Sequence, residues 1–432
     1  MDRQGTVETF VEFFRERGHQ VVTSSPLVPP PGDPVLFTTS GMHPLTPYLE
    51  GRAHPLGQRL VSLQRCLRTT DLDEVGDRTH LTVFEMLGSW SLGDYPGPQS
   101  LRWGYQLIRD GFGIVPDRLY ATVFGGDGQV GPDTALLETW DELGVPVELT
   151  REENWWSNGP TGLCGTDSEL FVWTGCSPPE GTPGSDGRWV ELWNHVMMRY
   201  RRHRDGSLQP LPRPNVDTGM GLERLLMILQ GKRSVFECDV FEPWMSTLRG
   251  LWSTSEQPLR LLSDHLRASI VVIGDGVRPS NTGRGYVLRR LIRRALTTMW
   301  RDDTARTLSD LPAGLVQDTL RHFGQDATVG QDGTHGQDGT LGQDGTLGQD
   351  ATVGQVQAVL LTEERRFQDL LVRGRALLSR RRGHGPLTEE DFRYLHETHG
   401  LPREFVVEML LDHPGLPQTG RREDDRSPCG LA

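Results

Sequence analysis

The sequence predicts an α+β protein: an antiparallel sheet flanked by helices, followed by a mostly helical region. Three observations carry this. Strand-like apolar runs fall at Val35–Thr39, Leu60–Leu67, Thr82–Leu87, Leu119–Val123, Phe171–Trp173 and Trp189–Arg199. Helical stretches interrupt them without a regular βα alternation, the pattern of segregated rather than doubly wound architecture. Beyond about residue 245 the apolar spacing turns helical.

From the N-terminus, Val7, Phe10, Val11 and Phe14 repeat at helix spacing, and Gly18 is placed to end that helix. Ser24–Asp33 is proline-rich and reads as a loop. Ser100–Asp110 and Asp133–Leu143 read as helices between strands. Residues 258–275, 284–300 and 308–323 read as helices, as does Gln355–Arg382 with a break at Gly374. Residues 1–245 thus form one expected domain and 246–415 a helical second, with 416–432 as a tail. Between the last two helices, 324–353 holds five near-copies of Gly-Gln-Asp-Gly-Thr-Leu. Each copy offers one place for a large apolar side chain, too few to bury a solenoid core. The tract reads as a loosely ordered insert.

Composition narrows the class. No apolar run approaches the roughly 18 residues of a membrane span, and the opening residues carry no secretory signal. Five cysteines are scattered, odd in number and without a C-x-x-C pair, so a cytoplasmic protein with reduced thiols is expected. The net charge of -13 opposes general nucleic-acid binding. Residues 260–301 run against that trend, with nine arginines against Asp264 and Asp275. Arg289/Arg293 and Arg290/Arg294 stand four apart and stack on one helix flank. Together with Arg284 they read either as a solvated face or as a surface that tracks RNA phosphates.

The most informative stretch is Asn215-Val-Asp-Thr-Gly-Met-Gly-Leu-Glu-Arg224, which leads into an apolar helical pattern. Gly219 and Gly221 let a ligand approach the backbone. The permanent charge of Arg224 suits a polyphosphate, and Asp217 suits an ammonium group. The decapeptide resembles motif 3 of the alanyl branch of the class II aminoacyl-tRNA synthetases. Leu63–Gly76 and His80–Tyr95 resemble that family's motif 2, and Phe37-Thr-Thr-Ser-Gly-Met42 its motif 1 region. Asn154–Glu169 and Glu191–Tyr200 resemble its amino-acid-selecting segments. The likeness is dense over 6–300 and looser over 355–411.

The resemblance implies a class II sheet, ATP with Mg2+, L-alanine, and the acceptor stem of tRNA. Arg68 and Arg224 would be catalytic, fixing positive charge on the phosphates. His80 would lie near the outer phosphates, Phe84 would stack on adenine, and Met86 and Gly221 would line the nucleotide site. Trp156, Asn194, Val196, Asp217 and Gly219 would hold alanine. No metal-ligating set is expected of the protein itself. The sequence departs from the family pattern at Leu81, Val83, Leu163, Thr166 and Met197–Arg199. It also stops where longer members continue into editing and oligomerisation domains, so a separate editing protein is an implied partner. Two other readings stay open: an aminoacyl-adenylate-forming paralogue with a non-tRNA acceptor, and a non-catalytic RNA-binding relative.

Overall fold

A computed structural model describes residues 1–33, 35–70, 72–325, 352–380, 386–399, 401 and 403–411. Helix α1 (Arg3–Arg15) starts where Asp2 accepts the Gly5 N–H at 2.9 Å. Strand β1 (Gln20–Val21), the short helix α2 (Thr46–Leu49) and strands β2 (Arg59–Leu67) and β3 (Val83–Ser91) follow. Next come α3 (Gly97–Gln106), β4 (Leu119–Phe124), α4 (Thr134–Leu143), β5 (Val147–Thr150) and β6 (Trp155–Ser157). Three long strands then build the sheet's centre: β7 (Gly162–Trp173), β8 (Trp189–Arg202) and β9 (Leu208–Gly221).

The sheet order is β1-β2-β3-β9-β8-β7-β4-β5, with β6 on β7. Only β1–β2 and β4–β5 are parallel. This is the expected α+β architecture around a mainly antiparallel sheet. Alternation along β8 sends Trp193, His195 and Met197 to one face and Asn194 and Val196 to the other. Trp193 is fully buried, its ring centroid 5.7 Å from that of Phe10 in α1. His195 Nδ1 lies 3.0 Å from Ser100 Oγ of α3. Trp140 of α4 donates its indole N–H to Ser168 Oγ of β7 at 2.8 Å. The opposite face is partly covered by a smaller apolar cluster in which Met42, Leu45 and Leu49 pack on Trp90, Val196 and Met198. The rest of that face remains open as a cavity.

Helix α5 (Leu222–Leu229) continues directly from β9, and α6 (Glu242–Leu251) carries the chain across residue 245. The helical part comprises α7 (Glu256–Gly274), α8 (Gly283–Asp302), α9 (Ala313–His322), α10 (Val353–Arg380), α11 (Glu389–His399) and α12 (Arg403–Leu411). One apolar core runs without interruption from Phe10 and Trp193 through Leu266 and Leu291 to Phe367. The division expected at 245 therefore falls inside a helix and not at a linker.

Three local expectations are corrected. Residues 35–39 form no strand; Thr38 makes only single backbone bonds, to Leu27 and Leu67. Helix α10 passes through Gly374 unbroken, and the glycine there leaves room for Leu401, which a side chain would crowd at 3.0 Å. Strand β9 had no counterpart among the expected strands. Residues 326–351, which hold most of the repeats, and the tail 416–432 lie outside the described residues.

Candidate active site

Strand register sets a small grid on the open face of the sheet. Asp167 of β7, Val196 of β8 and Asp217 of β9 are consecutive cross-strand partners. Glu169, Asn194 and Gly219 form the next row. The outer members of each row are thus about 10 Å apart. From β3, Trp90 pairs with Asp217 and Met86 with Gly221. These rows floor a cavity of about 300 Å³. Arg68, His80, Phe84, Met86, Gly221 and Arg224 line it, as do Trp156, Asn194, Val196, Asp217 and Gly219. Every residue nominated for ATP or alanine thus shares one cavity.

At the Asp217 end, the Trp90 indole N–H donates to Asp217 Oδ1 at 2.6 Å. The Trp90 ring fits because residue 88 is glycine; a side chain there would overlap it. Burial pushes the Asp217 carboxyl up to about 7, against the lowering effect of the Trp90 bond. Gly219 has a similar role. A Cβ there would sit 2.9 Å from Met86 Sδ and narrow the space beside Asp217. Asp167 is buried and raised to about 7, chiefly by burial, although it accepts from Asn154 Nδ2 at 2.9 Å and Asn194 Nδ2 at 3.1 Å. Burial and then the neighbouring Glu191 raise Glu169 as well. This end of the cavity is a desolvated, carboxylate-rich pocket that suits a small cationic group.

The other end is cationic. Arg68 stands 5.3 Å from the Phe84 ring centroid, within cation–π reach, and its Nε donates to Thr39 O at 3.2 Å. Arg224 Nη1 lies 2.8 Å from Glu191 Oε2 and 3.1 Å from Glu191 O. His80 is held between Asp77 at 2.6 Å and Glu74 at 3.1 Å. Both arginines retain N–H groups that could meet phosphate oxygens, and Phe84 offers an aromatic face. Among the described residues, no group of three or more His, Cys, Asp or Glu side chains is placed to hold a metal.

The arginines of α8 divide. Arg290 and Arg294 converge on exposed Asp73 at 3.8 and 2.5 Å. Arg289 and Arg293 instead turn inward onto Glu363 of α10 at 3.2 and 2.8 Å, with side chains only 17% and 11% exposed. The four-residue stacking is therefore present, but for this pair neither a solvated face nor a phosphate surface describes it; Glu363 needs their charge. Arg284 donates to the carbonyls of Leu36 at 2.6 Å and Pro29 at 3.4 Å.

Asp167, Glu169 and Glu191 also line the cavity and are not among the residues expected from the sequence. The two-residue spacing of Asp167 and Glu169 was the available signal, since it puts both on one strand face. Nothing local marks Glu223 and Arg267, whose contacts bridge distant segments.

This sheet, with a motif-3-like turn from β9 into α5 beside an arginine-and-aromatic β2–β3 pair, defines a class II synthetase core. A family model described as tRNA synthetases class II (A) matches residues 6–325, and the chain belongs to that family. Among individual proteins, the chain is 46% identical over 306 residues to the alanine–tRNA ligase of Treponema pallidum (strain Nichols), covering 66% of this chain and 51% of that one. It is 36% identical over 451 residues to the alanine–tRNA ligase of Rubrobacter xylanophilus, covering 97% of this chain and 49% of the other. The chain spans about half the length of these curated relatives. No helix among the described residues is long and apolar enough to cross a membrane.

Proposed function

We propose that this chain activates L-alanine with ATP and transfers the alanyl group to tRNA. The observation that carries the reading is the polarity of a single cavity. A desolvated Asp217 beside a glycine-limited space lies at one end, and Arg68, Phe84 and Arg224 lie at the other. Asp217 would hold the α-ammonium, with Val196 and Gly219 limiting the side chain to about a methyl group. Asn194 and Trp156 would complete the enclosure. Phe84 would carry the adenine, with Met86 and Gly221 beneath it.

In the first step an alanine carboxylate oxygen attacks the α-phosphorus, and the bond to the pyrophosphate oxygen breaks. Arg68 at the α-phosphate and Arg224 at the outer phosphates would stabilise the charge that builds on those oxygens. His80 lies within the same rim. Arg224 must exchange Glu191 for phosphate as ATP enters. Mg2+ would arrive on the phosphates, where such ions keep mostly phosphate and water ligands and need one or two carboxylates at most. In the second step a hydroxyl of the terminal tRNA ribose attacks the alanyl carbonyl and AMP leaves. Arg284, Arg290 and Arg294 of α8 would meet acceptor-stem phosphates, whereas Arg289 and Arg293 face Glu363. A cytoplasmic setting completes the reading.

The direct test is Arg68→Ala. Alanine-dependent ATP–pyrophosphate exchange should fall at least about a hundredfold while the circular dichroism spectrum stays that of the unaltered chain. Unchanged exchange in that variant would remove the ATP assignment.

A further inference from the structure

Strand β9 leaves the sheet at Gly221, which pairs with Met86. Upstream on β3, Val83, Phe84 and Glu85 still pair with Leu67, Cys66 and Arg65 of β2. On their other side no strand follows among the described residues. Alternation points the N–H and C=O groups of Val83 and Glu85 toward that bare edge and those of Phe84 toward β2. Two side chains take the place of the missing strand. Arg267 Nη1 donates to Val83 O at 2.9 Å. The Glu85 N–H donates to both carboxylate oxygens of Glu223, at 3.2 and 3.1 Å.

These two side chains are themselves paired at 3.4 Å, 3% and 2% exposed. The Arg267 guanidinium is also held between the rings of Phe241 and Phe323, 4.7 Å from each centroid. Glu223 sits in the first turn of α5, next to Arg224.

We infer that the Glu223–Arg267 pair is a positioning device that fixes the Phe84 platform against the Arg224 phosphate site, and so sets how a nucleotide's base is presented. Phe84 lies between the two anchored peptide groups, and its ring lines the cavity. Because Glu223 and Arg224 are adjacent on one helical turn, the same turn holds the base platform and meets the phosphates. Neither Glu223 nor Arg267 need touch the reacting atoms. The inference rests on the ATP reading of the cavity, and it assigns a positioning role to a buried pair of which Glu223 also borders that cavity.

The experiment measures adenosine and tripolyphosphate binding separately, by calorimetry or by inhibition of exchange, in the unaltered chain and in Glu223→Ala. Adenosine affinity should fall about tenfold or more, in keeping with the sensitivity of positioned contacts to shifts near 1 Å. Tripolyphosphate affinity and the KM for alanine should stay within about twofold on the same argument. Glu223→Gln keeps an acceptor for the Glu85 N–H and should recover most of the adenosine affinity. Should Glu223→Ala fail to fold, Arg267→Met keeps an apolar side chain between Phe241 and Phe323, frees Val83 O, removes the cation paired with Glu223, and should show the same split. Equal losses for adenosine and tripolyphosphate, or none for either, would overturn the inference. Failure of adenosine and ATP to bind the unaltered chain would instead overturn the ATP reading beneath it.

Discussion

The indole N–H of Trp90 and the Oδ1 of Asp217 meet at 2.6 Å at the cavity floor, on paired residues of β3 and β9. Trp90 is fully buried, so its N–H has no water to fall back on and fixes the carboxylate's orientation. The carboxyl it holds is kept out of water at a cost in stability, and a bound ammonium group would offset that cost.

Asp217 therefore links pH, stability and function. Its folded pKa is about 7, against an ordinary 3.8. Between those values the folded chain keeps a proton that the unfolded chain releases. The contribution to stability is thus fully present below pH 3.8 and lost as pH rises through 7. Asp217→Asn keeps an acceptor for Trp90 and removes the buried charge. It should stabilise the unliganded protein by up to about 4 kcal/mol at pH 8, and by less at pH 5. Alanine-dependent exchange should be lost at both. Thermal unfolding of the two proteins at each pH checks this, and a variant less stable at pH 8 would contradict it.

In the proposed reading Gly219 limits the size of the amino-acid pocket. Gly219→Ala would bring a methyl group to 2.9 Å from Met86 Sδ, at a position that also lines the cavity. The KM for alanine should rise at least about tenfold, while the melting temperature moves by only a few degrees because Met86 is flexible. Steady-state exchange kinetics separate the two effects, and an unchanged KM would place the amino acid elsewhere.

The α8 arginines should separate by partner. Arg293→Ala leaves Glu363 fully buried with Arg289 alone. A loss of about 2–4 kcal/mol is expected, somewhat under that of a fully orphaned buried charge. Arg294 shares exposed Asp73 with Arg290. Arg294→Ala should change stability by less than about 1 kcal/mol and lower the salt dependence of tRNA binding by about one counterion. Denaturant unfolding paired with binding at several salt concentrations would show the contrast, and a salt slope altered by Arg293→Ala alone would reverse it.

Much of the site was legible because its residues occur in short ordered runs. Phe84 and Met86 alternate on one strand, Asn194 and Val196 on the next, and Asp217, Gly219 and Gly221 on a third. Each run states its own face once its period is known. What could not be read lies between runs. Strand β9 escaped notice because Pro210, Pro212 and Pro214 argue against a strand. Their even spacing directs the missing N–H groups to one edge, and β3 joins β9 only from Val216 onward. The inward turn of Arg293 depends on Glu363, seventy residues away across the repeat tract. Helical spacing gave its flank but not what covers it.

Amino-acid-dependent ATP–pyrophosphate exchange across the standard amino acids, with charging of total tRNA alongside, tests the proposed activity most directly. The proposal requires exchange that is strongest with alanine, together with alanine-charged tRNA. Exchange with no amino acid would contradict it at the first step; exchange with alanine but no charged tRNA would contradict it at the second.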